Sequence, residues 1–533
     1  MLRRVGLTGG PRRAQGPGVA RFFNTAGPND PADHYTLPVL ARLPQVRGLI
    51  DQKLYFVLHA PRQVGKTTTL LGLGRELTAE GKHVALLVSM EQGSAFPDDP
   101  GAAELAILGS WRRAAKAQLP PELQPPPWPT AEPGDRIGAA LSAWTEAAPR
   151  PLVLFLDEID ALQDMVLVSV LRQIRSGYPQ RPGHFPASLA LIGLRDVRDY
   201  KVASGSDGRL GTASPFNIKA ESLTMRNFTG EEVAELYGQH TAETGQVFSP
   251  EAVELAHHLT QGQPWLVNAL ARQLVEVLVK DRTTVITAGD VEQAKEILIR
   301  RQDTHLDSLM ARLREPRIRA LLEPMLAGEV PGDVAEDDRQ FAVDLGLLRR
   351  TSQGGLEVAN PIYREIIVRA LAGGTRDALP QIQATWLTPE GKLDKQALLG
   401  AFLDFWRQHG EPLLASAPYH EIAPHLVLMA FLHRVVNGGS IEREYAIGSG
   451  RMDLCARYGG ETLAIEIKVW RPGRKDPATQ GLSQLDGYLA RLGLDSGWLV
   501  IFDRRPDAPP LEERLAATPE RTPGGREVVL IRA

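Results

Sequence analysis

Residues 60 to 67, with the sequence APRQVGKT, determine the fold of the first part of this chain. An apolar run, Leu54 to His59, precedes the stretch, and leucines at helical spacing follow it. A strand that leads through a glycine-containing loop into a helix lets backbone N–H groups surround an anion at the helix N-terminus. The pattern therefore predicts a phosphate-binding loop in a parallel α/β sheet.

The loop also carries the side chains that a nucleotide and its metal require. Lys66 offers a cation for the β- and γ-phosphates, Thr67 a hydroxyl for Mg²⁺, and Gly65 the backbone freedom that the loop needs. Ala60 stands where the first glycine of the motif is expected, and we include Thr68 among the nucleotide-contacting residues. ATP and Mg²⁺ are the expected cofactors.

An acid pair follows a second apolar run, Leu152 to Leu156. In this interpretation Asp157 holds Mg²⁺, often through water, and Glu158 polarises the attacking water as a catalytic residue. The alternative is a strand that ends in a solvated acid pair. Together with further apolar runs, the two segments predict five strands, at residues 54–59, 84–88, 151–156, 188–193 and 222–225.

Length and composition limit the remaining possibilities. A chain of 533 residues is too long to fold around a single hydrophobic core. Because its net charge is −4, any surface that binds nucleic acid must be a local basic patch. The single cysteine, Cys455, fits a reducing compartment. No apolar run is long enough to span a membrane, and the basic N-terminal segment lacks the features of a targeting peptide. We expect a cytoplasmic protein with no membrane contact.

The order of the predicted elements divides the chain into six parts. The last part contains helices followed by strands, and residues 499–502 are expected to form its final strand. The parts are a flexible basic arm (1–33), an ATPase core (34–228), a helical lid (229–300), a winged-helix-like domain (301–374), a linker (375–394) and a C-terminal α/β domain (395–533).

The first domain resembles the STAND and archaeal-type ATPases of the AAA+ group. Gly262 to Trp265 (GQPW) is similar to their GxP motif, which implies that Pro264 lies near the adenine. A helix-starting proline beside a packed tryptophan is the structural alternative. Arg42 resembles the arginine of their upstream nucleotide-pocket motif, although Ala41 and Pro44 replace the usual flanking glycine and glutamate.

Arg195, in the sequence LIGLRD, lies where the same ATPases carry a sensor arginine for the γ-phosphate. It could instead pair locally with Asp196 or Asp199. The sequence assigns no arginine finger; Arg198 and Arg209 are candidates if the site is completed by a second molecule.

A second constellation lies near the C-terminus. Asp453 follows Gly450 and Arg451, and residues 463 to 469 (LAIEIKV) alternate, so that Glu466 and Lys468 share one face of a strand. Two carboxylates are hard ligands for Mg²⁺ or Mn²⁺, and a nearby lysine can activate water and neutralise a phosphodiester transition state. The alternative for Glu466 and Lys468 is that they form a cross-strand pair on a solvated face of the sheet.

This Asp-x12-Glu-x-Lys spacing resembles the PD-(D/E)XK nuclease superfamily, whose fold is of the α/β restriction-endonuclease type. The resemblance implies catalytic roles for Asp453, Glu466 and Lys468. It adds Glu421 as a metal-associated acid, with an exposed helix-terminal acid as the alternative. Helix residues that would support the site are Gln480 or Gln484, with Tyr488.

The leading hypothesis is an ATP-regulated nuclease that acts on DNA, in defence against foreign DNA or in genome maintenance. One alternative is a STAND-like signalling switch whose C-terminal domain binds nucleic acid without cleaving it. Another is an ATP-driven remodeller of a protein partner, in which the nuclease fold is a relic. Both a protein partner and a homo-oligomer fit the sequence.

Overall fold

The computed structural model describes residues 21–195, 218–301, 312–313, 315–326, 334–351, 354–367, 386–388, 392–416, 427–428, 431–432, 440–447, 450–458 and 460–533. Of these, residues 164, 323, 324, 326, 409–416, 440–447 and 450–453 are described by their backbone alone. The chain forms two compact units. The first comprises Met1–Arg301 and Phe341–Pro361, and the second comprises Gln302–Gln340 and Ile362–Ala533.

The first unit alternates strands and helices and then becomes helical. Its α/β part comprises α1 (Val46–Asp51), β1 (Tyr55–His59), α2 (Lys66–Ala79), β2 (Val84–Ser89), α3 (Pro100–Gln118), α4 (Arg136–Ala147), β3 (Leu152–Asp157), α5 (Asp164–Gly177), β4 (Ser188–Gly193) and β5 (Glu221–Thr224). The helical part comprises α6 (Gly230–Thr244), α7 (Pro250–Thr260), α8 (Pro264–Arg272) and α9 (Ala288–Arg301).

All five predicted strands are present, and they form one parallel sheet in the order β2-β3-β4-β1-β5. Strand β1, which leads into the phosphate loop, is therefore central. Strand β4 separates it from β3, which carries Asp157 at its end. Because all strands run in the same direction, the loops that follow β1, β3 and β4 meet at one edge of the sheet.

Both faces of this sheet are covered by helices, as expected for continuous apolar strands. One face packs against α3, α4 and α5, where Trp111 and Trp144 are fully buried. The other face packs against α1 and α2 through Leu70, Leu73 and Leu77. The result is a three-layer α/β fold of the P-loop ATPase type, which holds the carboxyl edge of the sheet rigid.

Residues 21–33 differ from the predicted flexible arm. Phe22 pairs with His34 in an isolated β-bridge, and Phe23 is fully buried beside the rings of Tyr35, Tyr237 and His240. The two adjacent phenylalanines explain the difference, since burying an aromatic ring offsets the cost of ordering the chain. We call residues 21–35 the N-terminal strap. Residues 1–20 of the predicted arm lie outside the described residues.

The middle of the chain contains helices followed by a hairpin, as the sequence predicts. They are α10 (Pro316–Leu326), α11 (Glu336–Asp344), β6 (Leu348–Arg350) and β7 (Leu356–Val358). The unit boundary, however, falls inside this region, because Phe341–Pro361 belongs to the first unit. A separate winged-helix-like domain at 301–374 remains a prediction, and most of the predicted linker at 375–394 lies outside the described residues.

The second unit contains a mixed six-stranded sheet in the order β12-β13-β11-β10-β9-β8. Its elements are α12 (Lys395–Ser416), β8 (Ser440–Ile447), β9 (Gly450–Tyr458), β10 (Glu461–Trp470), α13 (Ala478–Leu492), β11 (Gly497–Asp503), α14 (Leu511–Arg514), β12 (Ala516–Arg521) and β13 (Glu527–Arg532). The expectation that residues 499–502 form the final strand is wrong. Two further strands follow: β13 pairs in parallel with β11, and β12 pairs with β13 at the edge of the sheet. The exposed, polar composition of β12 gives no strand pattern in the sequence.

No helix in the described part of the chain is both long and apolar enough to cross a lipid bilayer.

We expect Phe23→Ala to destabilise the first unit by about 3–5 kcal/mol, because it empties a fully enclosed aromatic site. Chemical denaturation of the full chain, followed by tryptophan fluorescence, measures the midpoint. Phe96→Ala is the matched control: Phe96 is 40% exposed, so its removal should change stability by less than about 0.5 kcal/mol. Equal midpoints for the two variants would show that the strap is not packed.

Candidate functional site

The phosphate loop is held by its own lysine. Lys66 Nζ donates hydrogen bonds to the carbonyl oxygens of Ala60 (2.6 Å) and Pro61 (2.9 Å). Ala60 N in turn donates to the carbonyl of Gly193 at the end of β4 (3.3 Å). Gly65 has a φ of +89° and forms the N-terminal boundary of α2, a conformation that favours glycine. Burial of the ammonium lowers the pKa of Lys66 to about 8.

The structure brings Thr67 and Asp157 together. Thr67 Oγ1 donates a hydrogen bond of 2.8 Å to Asp157 Oδ2, although 90 residues separate the two in sequence. Burial raises the pKa of the Asp157 carboxyl, and the hydrogen bond from Thr67 opposes that rise. A hydroxyl and a carboxylate in contact are the hard oxygen donors that Mg²⁺ prefers, so these residues fit the expected metal.

Glu158 has a partner that the sequence did not reveal. Ser89 Oγ donates a hydrogen bond of 2.8 Å to Glu158 Oε2. Ser89 ends β2 directly opposite Asp157 in the ladder, so it lies beside the acid pair by register. Burial raises the pKa of Glu158, and the Ser89 hydrogen bond opposes this effect. The sequence offers one sign of this role: Ser89 is the single polar residue at the end of the apolar run VALLVS.

The GQPW motif reaches the phosphate loop through its glutamine. Gln263 Oε1 accepts from Leu266 N at the start of α8 (2.6 Å), and Gln263 Nε2 donates to the carbonyl of Gln63 (3.4 Å). Pro264, the first residue of α8, is buried. The helix-starting role of this proline is therefore realised, and its contact with adenine remains a prediction.

Arg42 lies against the same loop. Its Nη1 donates to the carbonyl oxygens of Val64 (2.7 Å) and Arg226 (3.1 Å), and its guanidinium lies 4.8 Å from the ring centroid of Phe228. Burial lowers the pKa of Arg42 to about 10, a value that still leaves the guanidinium charged at neutral pH. The arginine thus braces the backbone of the phosphate loop just before Gly65.

The N-terminal strap also contacts this site, although the sequence predicts a flexible arm for these residues. Asn29 N donates to Thr68 Oγ1 in the first turn of α2 (3.1 Å). Thr25 accepts from Trp265 Nε1 through its carbonyl (2.9 Å) and from Arg272 through its hydroxyl (3.0 Å). The strap therefore connects α2, the helix that follows the phosphate loop, to α8. It adds Thr25 and Asn29 to the residues around the site.

Arg195 follows β4 and pairs with a residue far along the chain. Its Nε donates to Asp344 Oδ2 (2.9 Å), and its guanidinium lies 5.1 Å from the Phe341 ring centroid. Asp344 thus supplies a carboxylate that the sequence did not suggest. The alternative partners Asp196 and Asp199 lie outside the described residues, as do the arginine-finger candidates Arg198 and Arg209.

In the second unit, Glu466 and Lys468 form an ion pair on β10. Lys468 Nζ donates to Glu466 Oε1 at 2.6 Å, and the glutamate side chain is 2% exposed. Ladder pairing sets Glu466 opposite Leu499 of β11, which packs under α13 with Ala464. The acid and the lysine therefore pair within one strand on a largely covered face, and not across strands on a solvated face as in the alternative.

Helix α13 carries a glutamine whose side-chain oxygen is buried. Gln484 Oε1 is buried and makes no hydrogen bond among the described residues, whereas Gln480 is exposed. Tyr488 is 7% exposed and belongs to the core under the helix. Gln484 is thus the better placed of the two glutamines proposed to support the site.

The remaining predicted ligands are not located at side-chain level. Glu421 lies outside the described residues, and Asp453 is described only as part of β9. Ile465 pairs with Leu454 in the antiparallel ladder of β10 and β9. Glu466 and Asp453 are the next residues along these two neighbouring strands. Within the described ranges no cluster of three or more His, Cys, Asp or Glu side chains is arranged to hold a metal ion.

No family model matches this chain, and no curated protein matches it. Among solved structures, the chain is similar to a Walker-type ATPase of Pyrococcus abyssi, with 14% identity over 65% of this chain and 99% of that chain, and a TM-score of 0.46. It is also similar to the Orc1 protein of Aeropyrum pernix in complex with DNA (16% identity, 64% of this chain, 94% of that chain, TM-score 0.34).

A third similar structure is the RuvB Holliday junction branch migration motor of Thermotoga maritima (15% identity, 59% of this chain, 88% of that chain, TM-score 0.33). The P-loop ATPase fold of the first unit is evident from its own parallel sheet, its phosphate loop and the contact between Thr67 and Asp157.

The lowered pKa of Lys66 can be measured directly. Competitive acylation of the folded, nucleotide-free chain across pH 6.5–11, read by mass spectrometry, should show Lys66 titrating at about 8. In denaturant the same amine should titrate at about 10.4, the value of an unburied lysine. Equal titration in both conditions would mean that the phosphate loop does not enclose the ammonium.

Proposed function

We propose that this chain is an ATP-hydrolysing regulator that controls a metal-dependent nuclease acting on DNA. The observation that carries the ATPase half is the 2.8 Å hydrogen bond from Thr67 to Asp157, beside the phosphate loop. It joins the end of β3 to the first turn of α2 at the edge of the sheet where Lys66 also lies. We assign the ATPase unit to the AAA+ group, within it to the STAND or archaeal type, on the motifs described above.

Each residue of the first site has a distinct task in this proposal. Lys66 exchanges the loop carbonyls for the β- and γ-phosphates, which offer charge-assisted hydrogen bonds. Thr67 and Asp157 would hold Mg²⁺, which neutralises phosphate charge when bound. Ala60, Gly65, Thr68, Arg42 and Pro264 shape the nucleotide pocket around them.

Glu158 acts on the attacking water. Burial raises its pKa, which makes it a better proton acceptor than an ordinary carboxylate. Ser89 orients the carboxylate through the 2.8 Å hydrogen bond to Oε2. Ser89 is therefore a positioning residue, whereas Glu158 is the catalytic base.

We expect Lys66→Ala to weaken ATP binding by about tenfold to a hundredfold, because charge-assisted hydrogen bonds to the phosphates are lost. Glu158→Gln should bind ATP normally and hydrolyse it at least about a hundredfold more slowly. Binding calorimetry with ATPγS and phosphate release with ATP, both with Mg²⁺, measure the two steps. Lys82→Ala, an exposed lysine beyond α2, is the matched control. Undiminished hydrolysis by Glu158→Gln would exclude it as the base.

The nuclease half of the proposal is supported by the pairing of Glu466 with Lys468 on a covered strand face. A buried carboxylate that retains its charge needs a cation, and Lys468 meets this need at 2.6 Å. In the proposal Glu466, Asp453 and Glu421 would hold Mg²⁺ or Mn²⁺, which would supply Lewis-acid activation of water and of the phosphodiester. Lys468 orients water and offsets phosphate charge, while Gln484 and Tyr488 support the site from α13.

DNA is the proposed substrate, and the protein is proposed to act in the cytoplasm, in defence against foreign DNA or in genome maintenance. Because the net charge is −4, the DNA-binding surface must be local. The winged-helix-like region is the candidate for that surface. A homo-oligomer would allow a second molecule to complete the ATPase site.

We expect Mg²⁺- or Mn²⁺-dependent cleavage of linear single- or double-stranded DNA that depends on ATP. Asp453→Ala, Glu466→Gln and Lys468→Met should each reduce cleavage by at least about a hundredfold, since each removes a group acting at the phosphate. Lys475→Ala, an exposed lysine in the loop after β10, is the matched control. Circular dichroism of each variant separates loss of cleavage from loss of folding.

DNA binding without cleavage by the unaltered chain would favour the signalling-switch alternative. Cleavage that survives all three substitutions would exclude this site as the nuclease centre.

A further inference from the structure

The segment Phe341–Pro361 contacts Arg195, the phosphate loop and Gln261 of the first unit, all at or next to nucleotide-site motifs. We call this segment the clasp. Its first contact is the ion pair of Asp344 with Arg195, in which the two side chains are 4% and 17% exposed. An ion pair this well shielded from water is stronger than one on the surface, and it is costly to break by removing one partner.

The second contact is made with the phosphate loop itself. Gly346 follows α11 with a φ of +76°, and a Cβ atom at this position would lie 2.8 Å from Pro61 Cβ. A distance that short leaves no room for a side chain, so the clasp backbone touches the loop residue whose carbonyl accepts from Lys66. Any shift of Pro61 on phosphate binding would therefore be felt at Gly346.

The third contact is made with the residue that precedes the GQPW motif. Arg349 Nη1 on β6 donates to Gln261 Oε1 (2.6 Å), immediately before Gly262. Arg349 also pairs with Glu357 across the hairpin (2.7 Å), which keeps the donor oriented. The clasp thus spans from the loop after β4, past the phosphate loop, to the start of α8.

These contacts place the clasp in competition with nucleotide for Arg195. The carbonyl of Gly193, two residues before Arg195, accepts from Ala60 N, so the arginine emerges beside the phosphate loop. A γ-phosphate offers this guanidinium more charge and more acceptor oxygens than the Asp344 carboxylate does. Both are anions that draw on one positive charge and repel each other, so a γ-phosphate at Arg195 weakens its pairing with Asp344.

We propose that the clasp is a nucleotide-controlled latch: it is closed by Arg195–Asp344 and opened when Arg195 turns to the γ-phosphate of bound ATP. This inference rests on the proposed ATPase function and deepens it by naming the regulatory element. The chain enters the second unit at both ends of the clasp, at Gln340 and at Ile362. Release of the clasp therefore acts on two of the three places where the chain passes between the first unit and the unit that carries Glu466 and Lys468.

Hydrogen exchange of the full-length chain, read by mass spectrometry over peptides from 341–361, tests the latch. In the wild type, ATPγS with Mg²⁺ should speed exchange in the clasp by roughly tenfold, whereas ADP should not. Asp344→Asn, which removes the charge at constant size, should show the fast exchange without nucleotide. Glu80→Gln is the matched control, because it breaks the exposed pair with Arg47 in the same unit and should exchange as the wild type does.

Nucleotide affinity separates the latch from a merely structural ion pair. Asp344→Asn should bind ATPγS at least about fivefold more tightly, because no binding energy is used to open the clasp. Arg195→Gln should open the clasp as well but gain no affinity, since it also loses the phosphate contact. The exchanged pair Arg195→Asp with Asp344→Arg should restore slow exchange in the absence of nucleotide and should no longer respond to ATPγS.

The outcomes distinguish the latch from the underlying function. If calorimetry shows that ATPγS does not bind the wild type, the proposed ATPase function fails and this inference fails with it. If ATPγS binds and clasp exchange stays unchanged, the latch alone is overturned. Wild-type affinity in Asp344→Asn would likewise overturn the latch and leave the ATPase intact.

Discussion

The hydrogen bond between Thr67 and Asp157 is the constraint on which the first site depends. It requires β1 and β3 to run parallel and to end at the same level, although β4 lies between them. The two apolar cores on either face of the sheet fix that alignment. Once the strand ends are fixed, the phosphate loop sets the start of α2, so the Thr67 hydroxyl meets the Asp157 carboxylate and Lys66 lies next to them in the chain.

Burial gives this edge of the sheet its electrostatic character. It lowers the pKa of Lys66 and raises the pKa values of Asp157 and Glu158. Each shift reflects a charge that is only partly solvated, and charges in such surroundings interact more strongly with a polyphosphate than they would in water. The hydrogen bonds from Thr67 and Ser89 oppose the rise in the pKa values of Asp157 and Glu158, respectively.

The second unit uses strand alternation for a similar purpose. Residues at even positions of β10 turn toward α13, so Glu466 and Lys468 are drawn under a helix together with Ala464. The apolar neighbours exclude water, and the ion pair compensates the charge that results. In the proposed function, ATP acts through the clasp, which is bonded to the first unit and continuous in sequence with the second.

Local patterns in the sequence were sufficient to predict the five strands, the phosphate loop and the facing of Glu466 with Lys468, because periodicity and motif spacing depend on neighbouring residues. Ser89, Asp344 and the N-terminal strap could not be predicted in this way. Their roles arise from contacts across 69, 149 and more than 200 residues, respectively. Strand order and packing create those contacts, and the local sequence does not specify which distant partner each residue meets. The edge strand β12 was missed for the same reason, since only its pairing with β13 makes a polar segment a strand.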